Sequence, residues 1–234
     1  MQIEIWSDFV CPFCYIGKKR LEQAIERFPH PIDVTIEYKS FELDPDTPKY
    51  TGGSIHEMLA KKYNMSLDQA KHANQQIGEQ AKAVGLEFVF DTMKPGNTFD
   101  AHRLSKYAAK LNRETEYVDS MLYHYFTLSK DLSDKETLLA ITDELAFDHE
   151  EVSSILEDES SYANDVRNDE ETAKSLGVTG VPFFVFNKKY AISGAQPIET
   201  FMQAIEKVME EEKKQPFESL NTEQGSYCDG DGCK

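Results

Sequence analysis

Four cysteines stand in a chain of 234 residues, as two closely spaced pairs: Cys11 and Cys14 in "CPFC", and Cys228 and Cys233 in "CDGDGC". Two thiols three positions apart can attack a disulfide and then close on each other, which is what thiol–disulfide exchange requires. Four thiols can instead close around zinc, and spacings of two and four residues suit a tetrahedral site. A third reading of the CxxC pair is a buried, unreactive couple. The flanking residues weigh these against one another. Before Cys11, Ile3 and Ile5 alternate with Gln2 and Glu4, the pattern of a strand. After it, Gly17, Leu21, Ala24 and Phe28 recur at helical steps until Pro29 and Pro31. Cys11 then falls just before a helix's first turn, where unpaired N–H groups and the positive end of the dipole favour thiolate over thiol. Pro12 at the first helical position gives up no needed hydrogen bond. Cys14 lies on the same face, close enough for a small disulfide. The expectation is an exposed nucleophile at Cys11 with a resolving partner at Cys14.

Elements further along must hold this junction in place. Val34, Ile36 and Tyr38 alternate again, so residues 1–45 read as strand, helix, strand, a crossover that favours a parallel pair. Residues 46–176 read as almost wholly helical. Ser54 with Glu57, Ser66 with Gln69 and Ser133 with Glu136 have the capping-box form. Gly85 and Gly177 stand where helix C-caps belong. From 177 to 213 the strand signal returns in Phe183–Phe186, a turn at 187–189 and Tyr190–Ser193. Pro197 then opens a helix with an apolar stripe through Ile198, Phe201, Ile205 and Val208. Neither α/β fragment buries a core alone, so the class expected is α/β, one small mixed sheet with an inserted helical domain. Residues 214–234 turn polar and Gly-rich, read as a mobile tail. There Asp229 and Asp231 disfavour thiolates at Cys228 and Cys233, while Gly230 and Gly232 allow the two to close.

Composition narrows the classes. Net charge is −17, and twelve acidic residues against one Arg lie between Asp143 and Glu171. Such runs are usually solvated helix faces, and a phosphate backbone wants clustered Lys and Arg, so nucleic acid is excluded as a partner. No apolar run approaches a membrane span. The opening "MQIEIW" shows no basic segment followed by an apolar one, so no secretory signal is read there and a cytoplasmic setting is expected. In that setting closely spaced cysteines are more often redox-active or metal-binding than structural.

"SDFVCPFCYIG" together with "GVTGVPFFVF" downstream resembles the DsbA-like branch of the thioredoxin superfamily, more narrowly its FrnE-type members. These are similar in turn to kappa-class glutathione transferases and 2-hydroxychromene-2-carboxylate isomerases. The resemblance implies a thioredoxin-like fold with a helical insertion and a dithiol–disulfide oxidoreductase, of protein disulfide oxidase or isomerase type, with no separate cofactor. It implies that Cys11 attacks and Cys14 resolves. Pro12 and Phe13 would shape the groove, with Val181 and a cis Pro182 pairing to an extended substrate chain. In "NTFDAHRL" it implies substrate contact by His102 and Arg103, against the plain alternative of a capped helix start with solvent-facing polar groups. It also implies that Cys228 and Cys233 form a second redox pair relaying to the first. Partners would be protein or peptide thiols and disulfides, with glutathione a further candidate. Two positions depart from the pattern. Phe13 stands where strongly oxidising relatives carry a histidine, and Ile5 stands where a buried acid is often found. Asp8 either replaces that acid or is a surface loop carboxylate. A glutathione-dependent transferase or isomerase on a small aromatic substrate is the second reading; retention of Cys14 counts against it. A four-cysteine zinc protein is the third.

Overall fold

The computed structural model describes residues 1–50 and 52–214, with side chains to residue 212, and the backbone of two short strands at 228–229 and 232–233. A four-stranded sheet has the order β2-β1-β3-β4, built from β1 (Gln2–Ser7), β2 (Thr35–Ser40), β3 (Phe183–Phe186) and β4 (Tyr190–Ser193). The parallel β1–β2 pair sets Ser7 opposite Ser40, and β3 runs antiparallel to β1 with Ile5 opposite Phe184. The turn before β4 bends through left-handed backbone at Asn187 and Lys188. On one sheet face lie α1 (Pro12–Glu26) and α9 (Ile198–Lys214), packed over Ile3, Ile5 and Phe184, with Phe201 of α9 edge-on to Phe184.

Between β2 and β3 the chain runs through α2 (Ile55–Lys62), α3 (Leu67–Ala83), a 3₁₀ turn at Phe90–Thr92, α4 (Phe99–Lys110), α5 (Glu114–Phe126), α6 (Lys135–Glu144), α7 (His149–Glu157) and α8 (Ala163–Ser175). Ser54 and Ser66 form complete capping boxes with Glu57 and Gln69. The third expected box is displaced by one residue. Asp134 caps α6 by accepting from the Thr137 N–H, while the Ser133 hydroxyl donates to Asp131 and accepts from the Tyr50 N–H at 2.8 Å.

Helix α8 falls within the span 46–176 expected to be insertion, yet it covers the other face of the sheet. Trp6 packs with Ala173 and Val178 and donates from Nε1 to the Asp169 carbonyl at 3.0 Å, and the Ser40 N–H donates to the Asp169 carboxylate at 2.9 Å. Periodicity reports that a segment is helical but not which surface it covers. The helices inserted between sheet strand and sheet-covering helix are therefore α2–α7. They join the sheet unit through a continuous core and through Lys18 on α1, buried and paired with Glu22 and with Asp119 on α5.

In the tail, β5 (Cys228–Asp229) and β6 (Gly232–Cys233) pair antiparallel, with Cys228 opposite Cys233. The side chains of both cysteines lie outside the described residues.

Candidate active site

Helix α1 starts where the β1 ladder ends. Cys11 is its N-cap residue, Pro12 its first residue, and the Cys14 N–H donates to the Cys11 carbonyl at 3.1 Å. Both cysteines are free thiols. The Cys11 thiol donates to the Val181 carbonyl at 3.7 Å, and the Val181–Pro182 peptide bond is cis. Position 17 shows how closely helix and loop approach. A Cβ there would sit 3.0 Å from Pro182 Cγ and 3.1 Å from the Phe184 ring, so the helix reaches the Pro182 loop only because residue 17 is glycine.

Cys11 is not exposed. It is 3% accessible and Cys14 2%, because the Val181 loop covers one side and the helical insertion closes the other. What distinguishes them is the space each meets. Cys11 lines a cavity of about 500 Å³ between α1, α2, α3 and the 3₁₀ turn; Cys14 does not. That cavity is walled mainly by apolar side chains, among them Met58, Ile77, Met93, Tyr125 and Phe126, with Phe13, Leu43 and Tyr63 exposed at its rim. Its volume is in the range that holds small ligands or a few residues of a bound chain. Cys14 faces inward, where burial first, and then its contact with Cys11, hold its thiol well above the usual range. The nearby Ser7 side chain and Asp8 backbone act in the opposite sense, favouring the thiolate, without outweighing the burial.

Asp8 is no surface carboxylate. At 1% accessibility it accepts from the Leu43 N–H at 2.8 Å and faces His102 Nε2 at 3.4 Å, and it borders the large cavity. His102 is buried, its ring tilted against that of Phe9 with centroids 4.8 Å apart, and Phe9 lies two residues from Cys11. Arg103, next in sequence, has a different task. It is wholly buried, donates from one terminal nitrogen to the carbonyls of Ile155, Asp158 and Ser161 at 2.7–2.9 Å, and pairs with Asp100. Arg103 is thus committed to Asp100 and to the chain around the α7–α8 connection rather than to a substrate. The helix start is capped, with Asn97 accepting from the Phe99 N–H at 2.9 Å, but His102 and Arg103 are not solvent-facing, because α4 turns that face into the core. The cavity wall in α2 and α3 was beyond sequence reasoning, since each of its residues reads as an ordinary core position.

A CxxC pair capping a helix beside a cis-proline loop, on a sheet split by a helical insertion, is matched by the DSBA-like thioredoxin domain over residues 2–206. The chain belongs to that family. As a member it is a thiol–disulfide oxidoreductase. A probable DsbA oxidoreductase from Streptomyces coelicolor is 39% identical, with a TM-score of 0.87 over 100% of this chain and 98% of that one. A 2-hydroxychromene-2-carboxylate isomerase shares the fold at 17% identity and a TM-score of 0.70, over 92% of this chain and 98% of its own. The uncharacterised protein YwbO of Bacillus subtilis is 26% identical over 92% of this chain and 98% of its own. Among the described residues no helix is long and apolar enough to cross a membrane.

Proposed function

We propose that the protein exchanges disulfides with protein or peptide substrates through Cys11 and Cys14. The observation that carries this reading is the unequal placement of the two sulfurs, one on a wide apolar cavity and the other sealed behind it. Cys11 attacks a substrate disulfide, forming a mixed disulfide and releasing one thiolate. Cys14 then attacks the Cys11 sulfur, closing the internal disulfide and releasing the second. The reverse sequence oxidises a dithiol, and the potential of the surroundings selects the direction. Phe13 at the rim and the Val181 backbone beside Cys11 guide an extended chain, while the apolar wall takes a bulky side chain next to the reacting cysteine. Pro12 holds the first turn of α1. The setting we assign is cytoplasmic, and no cofactor beyond the thiols is invoked.

A second reading, a glutathione-dependent transferase or isomerase on a small aromatic molecule, is favoured by the mainly apolar lining of the cavity and the shared fold with the isomerase. Insulin reduction assayed beside glutathione conjugation of an aromatic electrophile separates the two. The proposal expects turnover of insulin that is lost in Cys11→Ser; conjugation without insulin turnover reverses the choice.

The tail pair joins the same reaction in our reading. Cys228 opposite Cys233 in the short hairpin is a pairing compatible with a disulfide. About fourteen residues of tether reach roughly 45 Å, enough to span a domain of this size. Cys14→Ser is expected to accumulate a Cys11 cross-link to a tail cysteine on mild oxidation; a peptide mass map without it removes the relay. Near-stoichiometric zinc in reductively purified protein would replace both redox roles.

A further inference from the structure

Resolution requires Cys14 to lose a proton in a place without solvent. A buried thiolate needs a route for that proton and a group to receive it. Position 5 is isoleucine, wholly within the core, so that position offers neither. The structure carries another set of groups beside Cys14. Ser7, the last residue of β1 and a neighbour of the Cys14 sulfur, borders a second, small cavity of about 10 Å³ together with Tyr38, Ser40, His102 and Ser105. Ser40, at 2% accessibility, has a hydroxyl with no partner among the described residues, and the Tyr38 hydroxyl has none either. An unmade hydrogen bond of this kind costs about 1–3 kcal/mol. A void of this volume with several polar walls matches one water molecule. Across it stands His102, whose Nε2 faces Asp8.

We infer that one water in this cavity links Ser7 to His102, and that the His102–Asp8 pair receives the Cys14 proton during resolution. The inference rests on Cys14 being the resolving residue. With the mixed disulfide formed on Cys11, the Cys14 proton passes through the Ser7 hydroxyl and the water to the imidazole. The imidazolium is held by the Asp8 carboxylate. The Cys14 thiolate attacks the Cys11 sulfur, the internal disulfide forms, and the substrate thiolate leaves and takes a proton from solvent. Two electrons have moved from the protein dithiol to the substrate disulfide. Other charged groups face the imidazole as well. Glu42 acts on it from the β2 side and is itself bridged to Arg167 on α8; Lys39 borders the small cavity; Glu114 on α5 is tied to Ser105. Asp8 is the one in hydrogen-bonding range of the ring. His102 and Ser40 are on this account positioning residues, since neither touches the substrate.

The test uses the full chain carrying Cys228→Ser and Cys233→Ser, mixed with dithiodipyridine in a stopped-flow instrument. Each protein molecule releases two chromophores, the first by Cys11 attack and the second by Cys14 resolution. His102→Gln is expected to slow the second release at least about tenfold near neutral pH and leave the first unchanged, in line with the usual worth of a positioned proton acceptor. Ser40→Ala, a milder change, is expected to slow the second release about threefold. Both deficits should shrink as pH rises, because hydroxide can then take the proton directly. An unaltered second release in both variants, or equal slowing of the two releases, overturns the relay. Loss of the first release in the background protein overturns the thiol reading itself, and the relay with it.

Discussion

On the sheet side of Cys11, a methyl group added at Gly17 would meet Pro182 at 3.0 Å; on the helical side the same sulfur opens onto about 500 Å³. The sheet unit is held by backbone ladders, by β1 paired on both edges and by α1 pressed onto the Pro182 loop. The insertion meets it with methionines, aromatic rings and small side chains spaced around a gap. Close tolerance on one side fixes two sulfurs and a carbonyl relative to one another, which is what a reacting geometry needs. Loose packing on the other side, rich in adaptable Met, suits substrates of differing shape. Chemistry and selectivity are thus assigned to different halves of the chain, and substitutions should sort accordingly.

The largest effect is expected at the sulfur itself. Cys11→Ser should abolish disulfide exchange while leaving the melting temperature within a few degrees, read by insulin turnover and calorimetry; retained turnover would move the nucleophile elsewhere. Arg103→Leu comes next. It strips donors from one buried and two partly buried carbonyls and the partner charge from Asp100, and should lower stability by about 3 kcal/mol in urea unfolding. A substrate-contact role would instead raise KM with stability intact. Gly17→Ala should cost about 1–3 kcal/mol through overpacking and slow the attack by Cys11, because the helix must retreat from Val181. Ala73→Phe, projecting from α3 into the cavity, is the mildest. It should raise KM for peptide disulfides several-fold with kcat nearly unchanged, since it removes binding shared by ground and transition states. If Gly17→Ala altered only KM and Ala73→Phe only kcat, the division between the two sides would be reversed.

Much of this was legible in the residues. The strand before Cys11, the helix after it, the β3 turn and the Gly85 and Gly177 ends all follow from alternation, periodicity and backbone preference, and the structure gives both glycines positive φ. What escaped is what no local pattern encodes. Ser133 lost its cap to Asp134 because a better-placed carboxylate stood beside it while Tyr50 claimed its hydroxyl. Helix α8 carries a polar sequence, yet covers Trp6 and the sheet. Cys11 was expected at the surface; its cover is supplied by segments roughly 50 and 170 residues away along the chain, a distance beyond any sequence window. His102 and Arg103 are neighbours with unlike fates, one beside the cysteines and one bracing a turn, which their spacing alone does not separate.

The central claim is that the sulfur on the cavity reacts and the sulfur behind it waits. Limiting iodoacetamide at neutral pH, followed by peptide mass mapping of the reduced chain, tests it directly. Residue 11 should carry nearly all of the early label in the CPFC peptide, with Cys14 modified only as the pH approaches its raised titration range. Equal labelling of the two from the start, or a preference for Cys14, would contradict the account.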